Sequence, residues 1–522
     1  MSGQRTKAAT LLLVSLVAFD ACIGSDSAAP PIKAPEAKAE EKFERPPRAR
    51  PAGLKSTLTS KHIRSCLYED QLDPSEIAGL YYNVTDLVAG QVEVSRSLPF
   101  ETPSSEMLGP EAFAREVRTA HIKPRSAEVI TTRSLAWALG LTPSGLDVNE
   151  FLKGEGTGLL AGFYDPKTEQ IVVERKGKLD AEYVVLAHEF IHAATDQAFG
   201  LPDNKFKNII DDERLATSSL IEGDAALGEM RILSRFAPQH SVKKAVKAQV
   251  AFPEKFKADR GAGVPYLLMD TVLFPYQWGP AFVCSIYKER GWSGVNRMYS
   301  QPPTTTAQIL FPERYLRREA ARAPAPLSRP PRPWKLKAKG DIGAAHLKAL
   351  FEAPGDVESR ALSRPFSRAA AWAGGTYEVW STITTNPGSK SRRRKSETGD
   401  TTSSIHDTEA SKREQETGTE GEEIEQPYVV GVSLIEHKEH RGSLCSSMNS
   451  WYRAAFGSAD HELIADRTVQ YSDYKQDAVI ACPKNKVILG FGPSPELARA
   501  IAGMRSDAST SASPGAPSPA SS

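Results

Sequence analysis

His188 and His192 stand four residues apart in Val184-Val185-Leu186-Ala187-His188-Glu189-Phe190-Ile191-His192, and Glu189 directly follows the first histidine. On a helix, four residues are about one turn. Both imidazoles then project from one face and can grip a single metal ion. Glu189 falls beside the first ligand, where a carboxylate can deprotonate a water polarised by that metal. The preceding run Val184–Ala187 is apolar and free of Pro and Gly, the pattern of a buried helix. Asp180 is placed to cap its start. Gly200, followed by Leu201-Pro202, is a stop signal. Histidines that merely pack in a core rarely flank a glutamate at this spacing.

A catalytic zinc site commonly uses three protein ligands and a water. The sixth residue after His192 is Ala198, so a third histidine at that spacing is excluded. Leu215 to Leu227 reads as a second helix, in which Glu222 and Asp224 interrupt small and apolar residues. A carboxylate on a buried face is costly unless paired or metal-bound. Glu222 is therefore the expected third ligand, with enough chain after His192 for a loop and a return helix. Asp224 has two readings: it orients a ligating imidazole from behind, or it is solvated. Hydrolysis also needs a donor for the developing oxyanion, and the phenol of Tyr276 is the candidate.

The helix HEFIHAATDQ followed by LIEGDAAL resembles the bacterial Glu-zincin-type metallopeptidases, whose corresponding helices read HELTHALQDQ and LVEGDA. Ala161-Gly162-Phe163-Tyr164-Asp165-Pro166-Lys167-Thr168 is similar to the hairpin that precedes their zinc helix. Phe274-Pro275-Tyr276, Trp292 and Gln301 through Pro312 follow their FPY…GW…PPxSTEQILHP pattern. The likeness covers roughly residues 110–320, with a weaker echo at 369–380, and its blocks keep the family's order. It implies Zn2+ on His188, His192 and Glu222, with Glu189 as general base in peptide-bond hydrolysis. It implies an α+β, zincin-like and mainly helical domain with a small hairpin or sheet. In zincins a strand near the zinc helix pairs with extended substrate, and Leu159–Tyr164 is the candidate here. The chain departs from the pattern at Ala307 and Phe311, where the family has Glu and His.

That departure motivates a rival reading, a catalytically impaired surface lipoprotein that binds a partner. A second rival is a cell-envelope adhesion or scaffold protein whose C-terminal region carries the function. Retention of Glu189 favours the enzyme, since holding a metal does not require a general base.

The rest of the chain supplies an address and an organisation. Arg5 and Lys7 precede an apolar run from Ala8 to Ala18, too short to span a bilayer and suited to a signal peptide over 1–21. Ala21-Cys22 resembles a lipoprotein cleavage site, so Cys22 is a candidate lipid anchor followed by a Pro/Ala/Lys/Glu-rich tether over 22–55. The expected product is an exported lipoprotein of the bacterial cell envelope, or else a secreted enzyme, acting on a peptide or protein. Lys plus Arg number 65 against 64 Asp plus Glu, a balance that gives no argument for nucleic acid. Residues 56–320 form the expected catalytic body and 321–340 a Pro/Arg-rich linker. A small α+β module over 341–504 follows, with an expected disordered insertion at 388–426 and tail at 505–522. Its strands are expected at 377–384, 428–436, 479–482 and 487–491. Of the cysteines beyond Cys22, Cys445 and Cys482 are the expected disulfide, while Cys284 in Ala281–Ile286 reads as a buried thiol.

The anchor has a direct test. Cys22→Ser should abolish metabolic lipid labelling and move the protein from the membrane to the soluble fraction. An unmodified N-terminus on soluble wild-type protein would make it a plain secreted chain.

Overall fold

The computed structural model describes residues 59–68, 84–120, 126–141, 161–175, 179–201, 210–236, 239–259, 264–324, 326–382, 428–457, 460–472 and 476–504. The signal, Cys22, the tether, the 388–426 insertion and the C-terminal tail lie outside them.

The described residues form a mixed α+β structure. In chain order the first part comprises α1 (Ser60–Arg64), α2 (Val84–Arg96), β1 (Ser104–Leu108), α3 (Pro110–Ala120) and α4 (Ser126–Ala138). The hairpin β2 (Gly162–Asp165) and β3 (Gln170–Glu174) precedes α5 (Leu179–Phe199), α6 (Asp212–Phe236), α7 (Gln239–Asp259) and α8 (Tyr266–Ser300). Two short helices follow, α9 (Thr306–Leu310) and α10 (Pro312–Leu316). The second part comprises β4 (Lys335–Asp341), α11 (Ala344–Glu352), α12 (Pro365–Ala369), β5 (Trp372–Ser381), β6 (Tyr428–Glu436) and α13 (Ser443–Phe456). It ends with β7 (Asp460–Ala465), β8 (Thr468–Ser472), β9 (Asp477–Ala481), β10 (Lys486–Gly492) and α14 (Pro495–Ile501).

Helix α5 carries His188 and His192 and is buried on every face from Val185 to Thr195. That is why its sequence shows an unbroken apolar run and no polar stripe. One side packs against α2 and the small sheet through Val88, Val92, Ile171, Val173, Val185 and Phe190. The sheet has the order β1-β3-β2, with β1 parallel and β2 antiparallel to β3. A Cβ on Gly162 would stand 2.6 Å from Val185 Cγ1, so glycine lets β2 lie directly on the helix. Helix α5 ends as expected: Gly200 takes φ 67°, and the side chain of Asp196 accepts from the Leu201 N–H at 2.8 Å. Asp180 lies within the first turn of the helix and not ahead of it.

The other side of α5 faces α6, which in turn makes its most extensive contact with α8. At that crossing Gly223 meets Gly279 backbone to backbone. A Cβ on Gly223 would stand 2.3 Å from the Gly279 carbonyl carbon. Helix α8 itself is broken at Gly291, whose φ is 61°.

The second part is built on a seven-stranded sheet of order β4-β5-β6-β10-β9-β8-β7, antiparallel throughout. Strands β5 and β6 pair up to Ser381 opposite Tyr428, so the long insertion is carried between two adjacent strands. The four expected strands are present. Strands β4, β7 and β8 were not expected, and two of them are the polar edges of the sheet, where alternation of apolar residues is weakest. β4 takes up the last residues of the stretch read as a linker. One apolar cluster joins both parts, including Phe274 and Phe282 of α8, Phe351 of α11, Trp451 of α13 and Phe491 of β10.

Cysteine pairing corrects one expectation. Cys445 pairs with Cys482 as anticipated, but Cys284 is bonded to Cys66 and is not a free thiol. The turn after α1 folds back onto α8, which brings the Cα atoms to 5.9 Å over a separation of 218 residues. No local pattern could show that approach. Among the described residues no helix is long and apolar enough to cross a membrane.

The start of α6 is pinned to the second part. Asp212 accepts from both the backbone N–H and the hydroxyl of Thr306, and that hydroxyl accepts from the Ala345 N–H at the head of α11. Burial lifts the Asp212 carboxyl to about 7. The Thr306 bonds oppose the rise, and Asp341 and Asp211 add to it. An acid raised in the folded state holds a proton that the unfolded chain releases, so its contribution to stability falls as pH climbs from about 4 to about 7. Asp212→Asn keeps an acceptor for Thr306 and removes the charge. Its melting temperature should therefore gain on wild type between pH 5 and pH 8. A difference independent of pH would show that Asp212 ionises normally.

Candidate metal centre

Helices α5 and α6 bring the three expected ligands together. His188 and His192 are 1 % exposed and Glu222 is fully buried. One donor atom from each lies within 4.8 Å of the others. Glu222 Oε2 is 3.2 Å from His188 Nε2 and 3.6 Å from His192 Nε2. A tetrahedral ion with bonds of ~2.0–2.1 Å separates its donors by ~3.3–3.4 Å, so these spacings suit such an ion with little movement. The imidazole rings meet edge to face, their centroids 4.8 Å apart.

Two buried atoms of this set, His192 Nε2 and Glu222 Oε1, have no hydrogen-bond partner. Both belong to the three residues that each offer a donor atom within 4.8 Å of the others. Two imidazoles and a carboxylate form the donor set of catalytic zinc, which keeps one further position for water.

The electrostatics agree. Burial pulls the His188 pKa down, but bonds to Glu222 and Glu229 and the charge of Glu189 outweigh it and push it up to about 10. Burial would raise Glu222, yet the two imidazoles hold it below its ordinary value. The carboxylates around His188 thus favour positive charge on that ring. Glu189 is fully buried on the same turn as His188.

Asp224 does not orient an imidazole, nor is it solvated. It takes the guanidinium of Arg96 in a fully buried pair at 2.8 Å, and the Tyr299 hydroxyl donates to it at 2.8 Å. The reason is angular: two residues carry it about 200° around the helix from Glu222, at ~100° per residue. Arg96 also donates to Asn296 and lies 4.4 Å above the Trp292 ring. This brace ties α2, α6 and α8 together two residues along α6 from Glu222.

The carboxylate on the histidine side is Glu229, which the sequence reading passed over. Its Oε2 lies 3.1 Å from His188 Nδ1. It stands seven residues after Glu222, two turns along the same face of α6, and that spacing was the available signal.

Tyr276 is 1 % exposed and packs with Phe113, Val117, Phe163 and Val172. It stands about one turn before Gly279 on α8, on the helix that presses against Gly223. Phe163 belongs to β2, which pairs only with β3 among the described residues; residues 159 and 160 of the candidate strand Leu159–Tyr164 lie outside them. Ala307 and Phe311 are buried in the main core. Phe311 packs against Phe366, its ring centroid 4.9 Å away, and Arg314 lies over its face. Neither residue is a metal donor in this arrangement.

Against protein-family models, curated proteins and solved structures, the chain matches none.

The glycine contact beside Glu222 is open to test. A methyl group at Gly279 would meet the Ser219 carbonyl oxygen at 2.4 Å and Gly223 at 2.9 Å, all backbone. Gly279→Ala should lower stability by about 1–3 kcal/mol, the usual cost of overpacking. It should also weaken metal retention, because Glu222 moves with Gly223. Thermal melts and metal analysis of the purified protein check both, and wild-type values in each would show that the helices slide apart without cost.

Proposed function

We propose that this chain is an exported zinc metallopeptidase. The observation that carries the reading is the convergence of His188, His192 and Glu222 on one buried point, with a donor atom of each within 4.8 Å of the others. Zinc held there would act as a Lewis acid and bring the pKa of water toward neutrality.

The remaining work falls to the chain's own residues. Glu189, on the turn between the two histidines, takes the proton of the attacking water and later returns it to the leaving amine. Tyr276 is the candidate donor to the oxyanion. An extended peptide would add along the candidate strand Leu159–Tyr164, where main-chain bonds supply affinity without demanding a particular sequence. Two disulfides support an oxidising destination, and a lipid on Cys22 would hold the enzyme at the membrane surface.

Expected behaviour follows from the division of roles. Wild type should hold one zinc per chain, and His192→Ala or Glu222→Ala should lose it. Glu189→Gln should keep the metal, because shape is preserved, and lose at least 100-fold in peptide hydrolysis, the usual scale of general-base catalysis at ~10²–10⁴. Metal analysis and a peptidase assay on the same preparations decide the matter. Equal activity in wild type and Glu189→Gln would remove Glu189 from the mechanism.

A further inference from the structure

We propose that Glu229 is the positioning residue of the metal centre, fixing the His188 imidazole so that Nε2 faces the ion. The proposal rests on the metal reading above and adds to it a role for a residue outside the ligand set.

An imidazole on a helix can rotate about its side-chain torsions and can present either nitrogen. Two constraints remove that freedom at His188. Nε2 lies 3.2 Å from Glu222 Oε2, and Nδ1 lies 3.1 Å from Glu229 Oε2. Both carboxylates belong to α6, two turns apart on one face, so a single rigid helix sets both ends of the ring. With Nδ1–H donating to Glu229, the lone pair on Nε2 is the one left to ligate. A charged acceptor behind the ring also makes Nε2 a stronger donor to a cation.

The surroundings fit this role. Glu229 is 8 % exposed, and a carboxylate so placed costs stability unless something answers its charge. His188 is the partner that does so. Gly228 beside it is in close contact with Ile191, where a Cβ would stand 2.8 Å from the side chain. That contact holds this turn of α6 against the turn of α5 between the two histidines. Asp224 offers no substitute, since Arg96 and Tyr299 occupy it.

The test uses the full-length protein and zinc itself. Glu229→Ala and Glu229→Gln are compared with wild type by competition against a fluorescent zinc chelator. In parallel, proton NMR of the cobalt-loaded proteins follows the exchangeable Nδ1–H of His188, which a merely structural residue would leave unchanged. Glu229→Ala is expected to weaken zinc binding roughly 10–100-fold, the usual effect of losing such a partner. The Nδ1–H signal should vanish by exchange with water. Glu229→Gln keeps an acceptor of the same length, so it should show a smaller loss and a shifted but visible signal. If the alanine variant fails to fold by circular dichroism, the glutamine variant carries both readouts. Wild-type zinc affinity together with an unchanged signal in a folded Glu229 variant overturns the proposal and leaves the zinc site standing. A wild type that takes up no zinc overturns the metal reading and this proposal together.

Discussion

The structure turns on the cost of burying Glu222. A carboxylate taken out of water loses several kcal/mol of solvation, and only close positive charge or strong hydrogen bonds recover it. Glu222 has two imidazoles within reach, at 3.2 and 3.6 Å, and one oxygen still unpartnered. The arrangement is therefore poised for a cation. The backbone around it is closely packed, with Gly223 against Gly279 beside the carboxylate.

That packing continues through the neighbouring helices. Helix α5 is buried on all sides across the two histidines, with α2 and the small sheet behind it and α6 in front. Helix α6 is clamped to α8 by the contact of Gly223 with Gly279, next to the ligand itself. Two residues beyond Glu222, Asp224 joins Arg96 in a fully buried pair that reaches α2. Removing either partner of such a pair typically costs about 3–5 kcal/mol, because the other charge is left uncompensated. Carboxylates on different sides of one helix thus meet different partners: Glu222 faces the two imidazoles, and Asp224 holds Arg96 and Tyr299.

The C-terminal sheet belongs to the same physical object. Its helix α11 packs against α8 and α9, and its head bonds to Thr306, which in turn bonds to Asp212 at the start of α6. One core runs from α8 through α11 to β10. The strands on either side of the long insertion, β5 and β6, pair directly up to Ser381 and Tyr428.

Much of the site was legible in the sequence for a simple reason. A four-residue spacing on a helix determines that His188 and His192 share a face, whatever the surrounding fold. The buried run around them, the hairpin at Asp165-Pro166 and the carboxylate interrupting a stretch of small residues at Glu222 were equally local signals. The pairing of α5 with α6 was not local, and only the folded chain brings Glu222 within reach of both imidazoles. Three further features were decided the same way. Cys284 pairs with Cys66 because α1 folds back onto α8, across 218 residues. Asp224 turns to Arg96, and Glu229 reaches His188, because a helix rotates by ~100° per residue and only the neighbours' positions say what each direction meets. The polar edge strands β4 and β7 form because the sheet offers them partners, not because their own residues alternate. The sequence by itself determined which residues could do chemistry; the tertiary structure decided which of them face one another.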